Sequence, residues 1–430
     1  MSETHKEAGP QGLASALVAS GALSSDWLPS FTAVKRELFV PDRIWPGISD
    51  GTKQNALVDR SKDPEVWERA VYSDIPLTTQ WDDGEHEGDG LGTTPSSSNS
   101  MPTMVVSMLR DLDVQPGDRV LEIGTGTGWN AGLLADRLGS SHVVTVEVDP
   151  EVAKGAQENL HRAGLSPTVI VGDGRDGWAG GGDYTRIIAT CSVLEIPPAW
   201  LEQSAPGGVI VAPFGTEYGG EQIVRLVVSE DRTEARGNFV GGSAFMRLRQ
   251  QRTERPLFEE YLHGVEWPAD GVKSMTTLSP RDTGDWFQLF VIGLGVPRAF
   301  WRAERMENGA YTLWLYSRDK QSWASADYEK GRTEYEVYQS GPRKLWDEVE
   351  AAYRWWDERG RPGFERFGLT VTAKGHTAWL DSPANPVPQP CRPSRCRSRA
   401  GPPGGLTVPE PPRPCVDPPG RAGGAQPFLR

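Results

Sequence analysis

The stretch VLEIGTGTG at residues 120–128 constrains the fold more than any other part of the chain. A short apolar run ends in glycines at alternate positions, and the amphipathic WNAGLLADRLG follows at once. A strand that passes through a glycine turn into a helix opens a βαβ unit. Glycine at 124, 126 and 128 lets the main chain approach a ligand with no Cβ in the way, and the start of the helix offers unpaired N–H groups. HVVTVEVD, PTVIVGDG, YTRIIATC and GGVIVAPFG read as further strands, with PEVAKGAQENLHRAG a helix between the first two. This alternation predicts a parallel sheet. Right-handed crossovers then make it a doubly wound α/β domain.

Two cofactor classes use such a turn. Dinucleotide binders favour G-x-G-x-x-G, with the third glycine packing helix on strand. Here Trp129 takes that slot and the spacing is G-x-G-x-G, which favours the amino-acid end of S-adenosylmethionine over a pyrophosphate. Glu147 ends the second strand, where it suits ribose hydroxyls. Asp173 and Gly174 follow the third, where they suit the adenine edge. Glu122 precedes the turn and can brace its backbone. Thr125 in the turn and Thr190 after the fourth strand complete the candidate cofactor set with Gly124, Gly126 and Gly128. A glycine loop alone would be only a tight bend; acids at successive strand ends argue for a nucleoside.

The 430 residues are too many for one ordinary core. The texture divides them into 1–250, the α/β domain with N-terminal helices; 251–380, a smaller α+β module; and 381–430, a tail with fourteen Pro and seven Arg that reads as disordered. Residues 12–45 read as helical and 50–100 as polar, the run DGEHEGDGLGTTPSSSNS within them as an exposed loop, with a helix from MPTMVVSMLRDL. In the module, DWFQLFVIGLG, AYTLWLYSR, SWASADY and EYEVYQSG read as strands and PRKLWDEVEAAYRWWDERG as a helix. A net charge of −13 argues against nucleic acid, whose phosphates need clustered cations. The four Cys and six His show no metal-ligand spacing. No run reaches the length of a membrane-spanning helix, and nothing at the N-terminus resembles a secretory signal. The cytoplasm is the expected compartment.

Further segments carry a resemblance: RELFVP at 36–41, SMPTM at 100–104, DGRDG at 173–177, YTRIIAT at 184–190, IPPAWLEQ at 196–203, and PGG with VAPFG at 206–215. With the glycine turn, these make the stretch from residue 33 to 215 similar to protein-L-isoaspartate O-methyltransferases. The resemblance implies a seven-stranded class I methyltransferase sheet. It also implies methyl transfer from a sulfonium to a side-chain carboxylate of a peptide or protein. Ser100 matches the family serine beside that carboxylate, and Ser98 and Asn99 join it as candidate catalytic residues. A carboxylate is already ionised at neutral pH, so the transfer needs placement and hydrogen-bond donors rather than a general base.

The sequence departs from the family pattern at Thr103, at Cys191-Ser-Val, in a long acidic loop, and in its C-terminal module. In this it resembles an actinobacterial branch that methylates an ordinary aspartate in ribosomally made, lanthipeptide-type peptides; the ester then collapses to a succinimide. The module's Trp286, Trp314, Trp323, Trp355 and Trp356 are candidate anchors for such a peptide, or simply core. Three alternatives stand beside this reading: housekeeping isoaspartate repair, small-molecule methylation, and a non-catalytic cofactor-binding module.

Overall fold

The computed structural model describes residues 9–47, 56–268 and 270–390. They form two compact units. The first takes in the described residues of Met1–Phe214, Ile223–Arg252 and Val371–Ala373, the second those of Gly215–Gln222, Thr253–Thr370 and Lys374–Arg430.

In the first unit the alternating pattern becomes seven strands of a nine-stranded sheet: β1 (Val120–Ile123), β2 (Val143–Glu147), β3 (Thr168–Val171), β4 (Tyr184–Ala189), β5 (Ser204–Gly215), β6 (Glu221–Val228) and β7 (Glu234–Gly242). Their order is β7-β6-β5-β4-β1-β2-β3. β1 pairs in parallel with β2 and β4, β2 with β3, and β4 with β5. The order reverses beside β1, so the carboxyl end of β1 is the switch point at which open α/β sheets hold their ligands. All of β1 is buried, as expected of a strand covered on both faces.

Helix α1 (Pro102–Leu112) precedes the sheet, α2 (Trp129–Leu138) follows β1, and α3 (Pro150–Arg162) follows β2. Pro102 and Pro150 open their helices, where a missing N–H costs nothing. Asp149 caps α3 by accepting from the amides of Glu151 and Val152 at 3.0 and 3.2 Å. Trp129 is 3 % exposed. Its Nε1 donates to the Val34 carbonyl at 3.1 Å, and its ring meets Phe31 edge-on at 5.7 Å. The residue that breaks the dinucleotide fingerprint thus locks the N-terminal segment onto α2.

That N-terminal segment differs from the helix expected over 12–45. It holds two short helices, Pro10–Ala19 and Leu28–Ala33, a 3-10 turn at Arg36–Phe39 and a strand at Arg43–Pro46. Gly21, at φ 76°, turns the chain out of the first helix. The region expected as exposed loop also contains structure. Leu77–Trp81 pairs antiparallel with Pro95–Asn99, setting Leu77 opposite Asn99 and Thr78 opposite Ser98. The inward side chains of Pro95–Asn99 are Ser97 and Asn99, both buried. With polar residues on its inner face, this strand shows no apolar alternation to read.

The second unit is the expected α+β module. Its antiparallel sheet runs Val272–Thr276, Tyr335–Ser340, Trp323–Tyr328, Tyr311–Ser317, Ala299–Arg305. The helix Leu345–Asp357 packs on this sheet. DWFQLFVIGLG corrects to a helix, Trp286–Gly295, with Asp285 and Gln288 forming its capping box. A run that is apolar on every side fits a buried helix as well as a buried strand, and the cap decides it. Residues 381–390, expected as the start of a disordered tail, instead hold structure. Asn385 Nδ2 donates to the Leu380 carbonyl at 3.1 Å, and the Val387 amide to that of Ala378 at 2.9 Å. Residues 391–430 lie outside the described residues.

Among the described residues no helix is long and apolar enough to cross a membrane. Among the same described residues no group of three or more His, Cys, Asp or Glu is placed to hold a metal ion.

Candidate active site

An open cleft of about 970 Å³ lies at the carboxyl end of β1. One wall is the glycine turn. Gly124, Gly126 and Gly128 have φ of 94°, 53° and 91°, left-handed positions that disfavour any side chain. A Cβ on Gly124 would stand 2.9 Å from Thr190 Oγ1, and one on Gly126 would stand 3.2 Å from the Ser98 carbonyl. Gly128 serves packing: its Cβ would meet Ala156 of α3 at 3.3 Å. Gly124, Thr125 and Gly126 line the cleft; Gly128 does not.

The acids hold this turn in shape. Glu147 accepts from the Gly126 amide at 2.9 Å on one oxygen and from the Asp149 amide at 3.2 Å on the other. Burial raises its pKa against these bonds. Glu122 is fully buried and accepts from Asn130 Nδ2 at 2.6 Å and Thr145 Oγ1 at 2.5 Å. With the only Thr145 proton directed there, Thr125 Oγ1 donates to Thr145 Oγ1 at 2.6 Å. Glu122 therefore braces the turn through side chains, not through the loop amides expected from sequence. Burial pushes its pKa up to about 7, with the charge of Glu147 adding to the effect. Thr190 Oγ1 donates to the Gly124 carbonyl. Gly174 lines the cleft, and a Cβ there would collide with Ile123 at 2.5 Å. Asp173 sits one step outside, accepting from the Arg175 amide at 2.8 Å.

The facing wall is the serine strand, and residues 96–100 all line the cleft. Ser96 Oγ donates to Gln80 Oε1 at 2.8 Å, and Ser97 pairs with Thr79 at 3.3 Å. Asn99 is engaged at both ends: Oδ1 accepts from Arg36 Nε at 2.7 Å, and Nδ2 donates to Thr127 Oγ1 at 2.9 Å. Its amide joins the serine strand to the glycine turn. The Ser98 and Ser100 hydroxyls make no hydrogen bond with any described residue, and both residues face the cleft.

Sequence reasoning missed two parts of this site. Arg36, 2 % exposed, donates to the carbonyls of Val71, Ser73, Ile75, Asn99 and Ser100. One guanidinium thus fixes the backbone that presents both free serines. Burial lowers its pKa to about 9, still well above neutrality, and it lies 5.3 Å over the Trp129 ring. Its RELFVP motif marks the position without revealing that the charge points inward. The second missed part is a third wall at residues 245–249 with Arg252. Arg249 bridges Asp149 and Asp83, each at 3.0 Å, and Arg252 reaches Asp83 at 2.8 Å. A cluster of three Arg within residues 247–252 of an acidic chain was the available signal.

The family model for protein-L-isoaspartate(D-aspartate) O-methyltransferase matches residues 52–253. A protein-L-isoaspartate O-methyltransferase of Pyrococcus horikoshii is 37% identical over 164 residues, 38% of this chain and 74% of that protein. Its namesake in Methanoculleus marisnigri is 38% identical over 186 residues, 43% of this chain and 76% of that one. The chain belongs to the protein-L-isoaspartate O-methyltransferase family. As a member it is an S-adenosylmethionine-dependent O-methyltransferase. A relative from Hyperthermus butylicus, 32% identical over 231 residues, spans 51% of this chain and 80% of its own length. The family model ends beside Arg252, where the Ile223–Arg252 segment of the first unit also ends.

The methyltransferase cleft fits its cofactor. The turn offers a cradle that a Cβ at 124 or 126 would fill. Each Glu147 oxygen accepts one bond and has a second lone pair left for a hydroxyl. When bound, the cofactor supplies an electrophilic methyl on a positively charged sulfur. The chain's part is to orient that group and the acceptor, and to exclude water.

Proposed function

We propose that the protein methylates the free carboxylate of an isoaspartyl residue in a peptide or protein. One observation carries the reading: two uncommitted hydroxyls, Ser98 and Ser100, line the same cleft as the glycine turn. They are donors for a carboxylate, held in place because Arg36 and Asn99 fix their backbone. A new carboxylate O–CH3 bond forms as the S–CH3 bond breaks. The anion and the sulfonium become a neutral ester and a neutral thioether, and no proton moves. Two opposite charges disappear, so a cleft that excludes water favours the step. The ester then loses methanol when a backbone amide nitrogen attacks it, the amide proton leaving with the methoxide, and a succinimide results.

A second reading rests on the second unit. Most of it lies beyond the segment that the family model matches, which suits an enzyme that acts on ordinary aspartate in a constrained precursor peptide. An isoaspartyl peptide and its aspartyl twin, incubated with labelled cofactor, separate the two. Ester on the isoaspartyl peptide alone supports the first reading, and ester on a constrained aspartyl peptide the second. Ester on neither refutes both and points to a small-molecule acceptor.

A further inference from the structure

A second concave surface lies within the second unit. One face of its sheet packs on the helix Leu345–Asp357. On the opposite face, register sets Phe300 across from Tyr316 and Arg302 across from Trp314. Phe258 stacks at 4.6 Å from Trp314, and Trp267 stands 6.1 Å from the same ring. Phe258, Trp267, Trp314 and Tyr316, with Arg302 and Glu304, line an open groove of about 900 Å³. Trp267 remains 44 % exposed. A large ring left in water beside other rings marks a contact surface.

Two further features say what fits. The strand Ala299–Arg305 is the last of its five-stranded sheet, so among the described residues no strand pairs with its outer edge. Two guanidiniums stand at this groove, Arg302 in its lining and Arg255 beside it over Phe300. Neither Arg302 nor Arg255 has an ion pair or a side-chain hydrogen bond among the described residues. Arg255 lies 5.8 Å over the Phe300 ring, and burial, then the like charge of Arg302, lowers its pKa. The carboxylate in the groove, Glu304, already accepts from Trp314 Nε1 at 3.1 Å. Unpaired guanidiniums are out of character in a chain of net charge −13.

We propose that this groove docks an extended acidic peptide as an added strand on Ala299–Arg305, its carboxylates meeting Arg302 and Arg255 and an apolar side chain entering among Phe258, Trp267 and Trp314. Main-chain bonds along the edge supply affinity and the side-chain pockets supply selectivity. Guanidinium suits carboxylate because its fork donates two parallel bonds. A nucleic acid is the weaker fit: it cannot continue a sheet, and the chain's net charge repels it. This site goes beyond the methyl-transfer reading, and its test uses neither cofactor nor turnover.

The test is fluorescence anisotropy on the full chain with labelled acetyl-Glu-Thr-Phe-Thr-Glu-Thr-amide, whose acids and phenylalanine share one face when extended. Its controls are a twin carrying Gln for the acids, and a ten-nucleotide oligo(dT). The acidic peptide is expected to bind with Kd on the order of 1–100 µM, at least about tenfold tighter than its twin. Arg302→Gln and Arg255→Gln are expected to erase that preference while leaving the circular dichroism spectrum unchanged. Trp267→Ala should weaken both peptides alike. Equal binding of the twins, no binding of either, a preference that survives both Arg changes, or tighter binding of oligo(dT) would each overturn the proposal.

Discussion

The two walls of the cleft reach the same rigidity by opposite means. The glycine turn is shaped by its own backbone: three left-handed residues in five, with Glu147 and the Thr125–Thr145–Glu122 chain securing the result. The serine strand has no left-handed residue. It is held from outside by the Arg36 fork and by the Asn99 amide, which fastens it to Thr127 of the turn. One wall is written in local sequence, while the other depends on a residue more than sixty positions away. Damage to the first should therefore strike the cofactor, and damage to the second the acceptor.

The largest effect expected is at the turn. Gly126→Val puts a β-branched side chain at φ 53° and against the Ser98 carbonyl. Calorimetry should show cofactor affinity reduced by on the order of 100-fold or more. Normal binding would remove the turn from the cofactor site. Next comes Arg36→Met, which leaves five carbonyls without their donor and should cost about 3–5 kcal/mol in denaturant unfolding. Arg36→Lys sharpens the comparison: it keeps the charge and loses the fork. It should lower kcat more than it lowers cofactor affinity, because only the serine wall loosens. Equal losses in both would mean that the walls are not separable.

Ser100→Ala is expected to slow methyl transfer about 10- to 100-fold, a range suited to the loss of one hydrogen-bond donor, with cofactor affinity nearly intact. Single-turnover rates check it; a wild-type rate would exclude the hydroxyl. The smallest effect is a pH dependence at Glu122. Its folded pKa, about 7, lies above the ordinary value of 4.5, so the folded state holds this proton more tightly than the unfolded state. Its contribution to stability is complete below about pH 4.5 and is lost as pH rises to about 7. Glu122→Gln removes that loss, so the variant should gain on wild type across this window in melts at matched pH. A constant difference from pH 4 to pH 8 would show that folding leaves the Glu122 pKa at its ordinary value.

The same contrast explains what sequence alone reveals. The sheet and the turn are legible because parallel strands are continuous apolar runs and left-handed turns need glycine, both local signals. Ser98 and Ser100 are legible through a family motif, although the strand that carries them is not: its buried positions, Ser97 and Asn99, are polar. Asn99 reads as catalytic from sequence, yet both ends of its amide hold structure, a fact that only packing shows. Arg36 is hidden for the same reason. In the second unit, Trp323 and Trp356 prove to be core while Trp314 lines a groove. Nothing in the local sequence around these three distinguishes them.

The account rests on the two walls serving one reaction. A crystal of the protein with S-adenosylhomocysteine and an isoaspartyl peptide tests this most directly. The account predicts the amino-acid end of the product against residues 124–128, and the peptide carboxylate within hydrogen-bond distance of the Ser98 or Ser100 hydroxyl. Product bound away from the turn, or a carboxylate bound away from both serines, would contradict it.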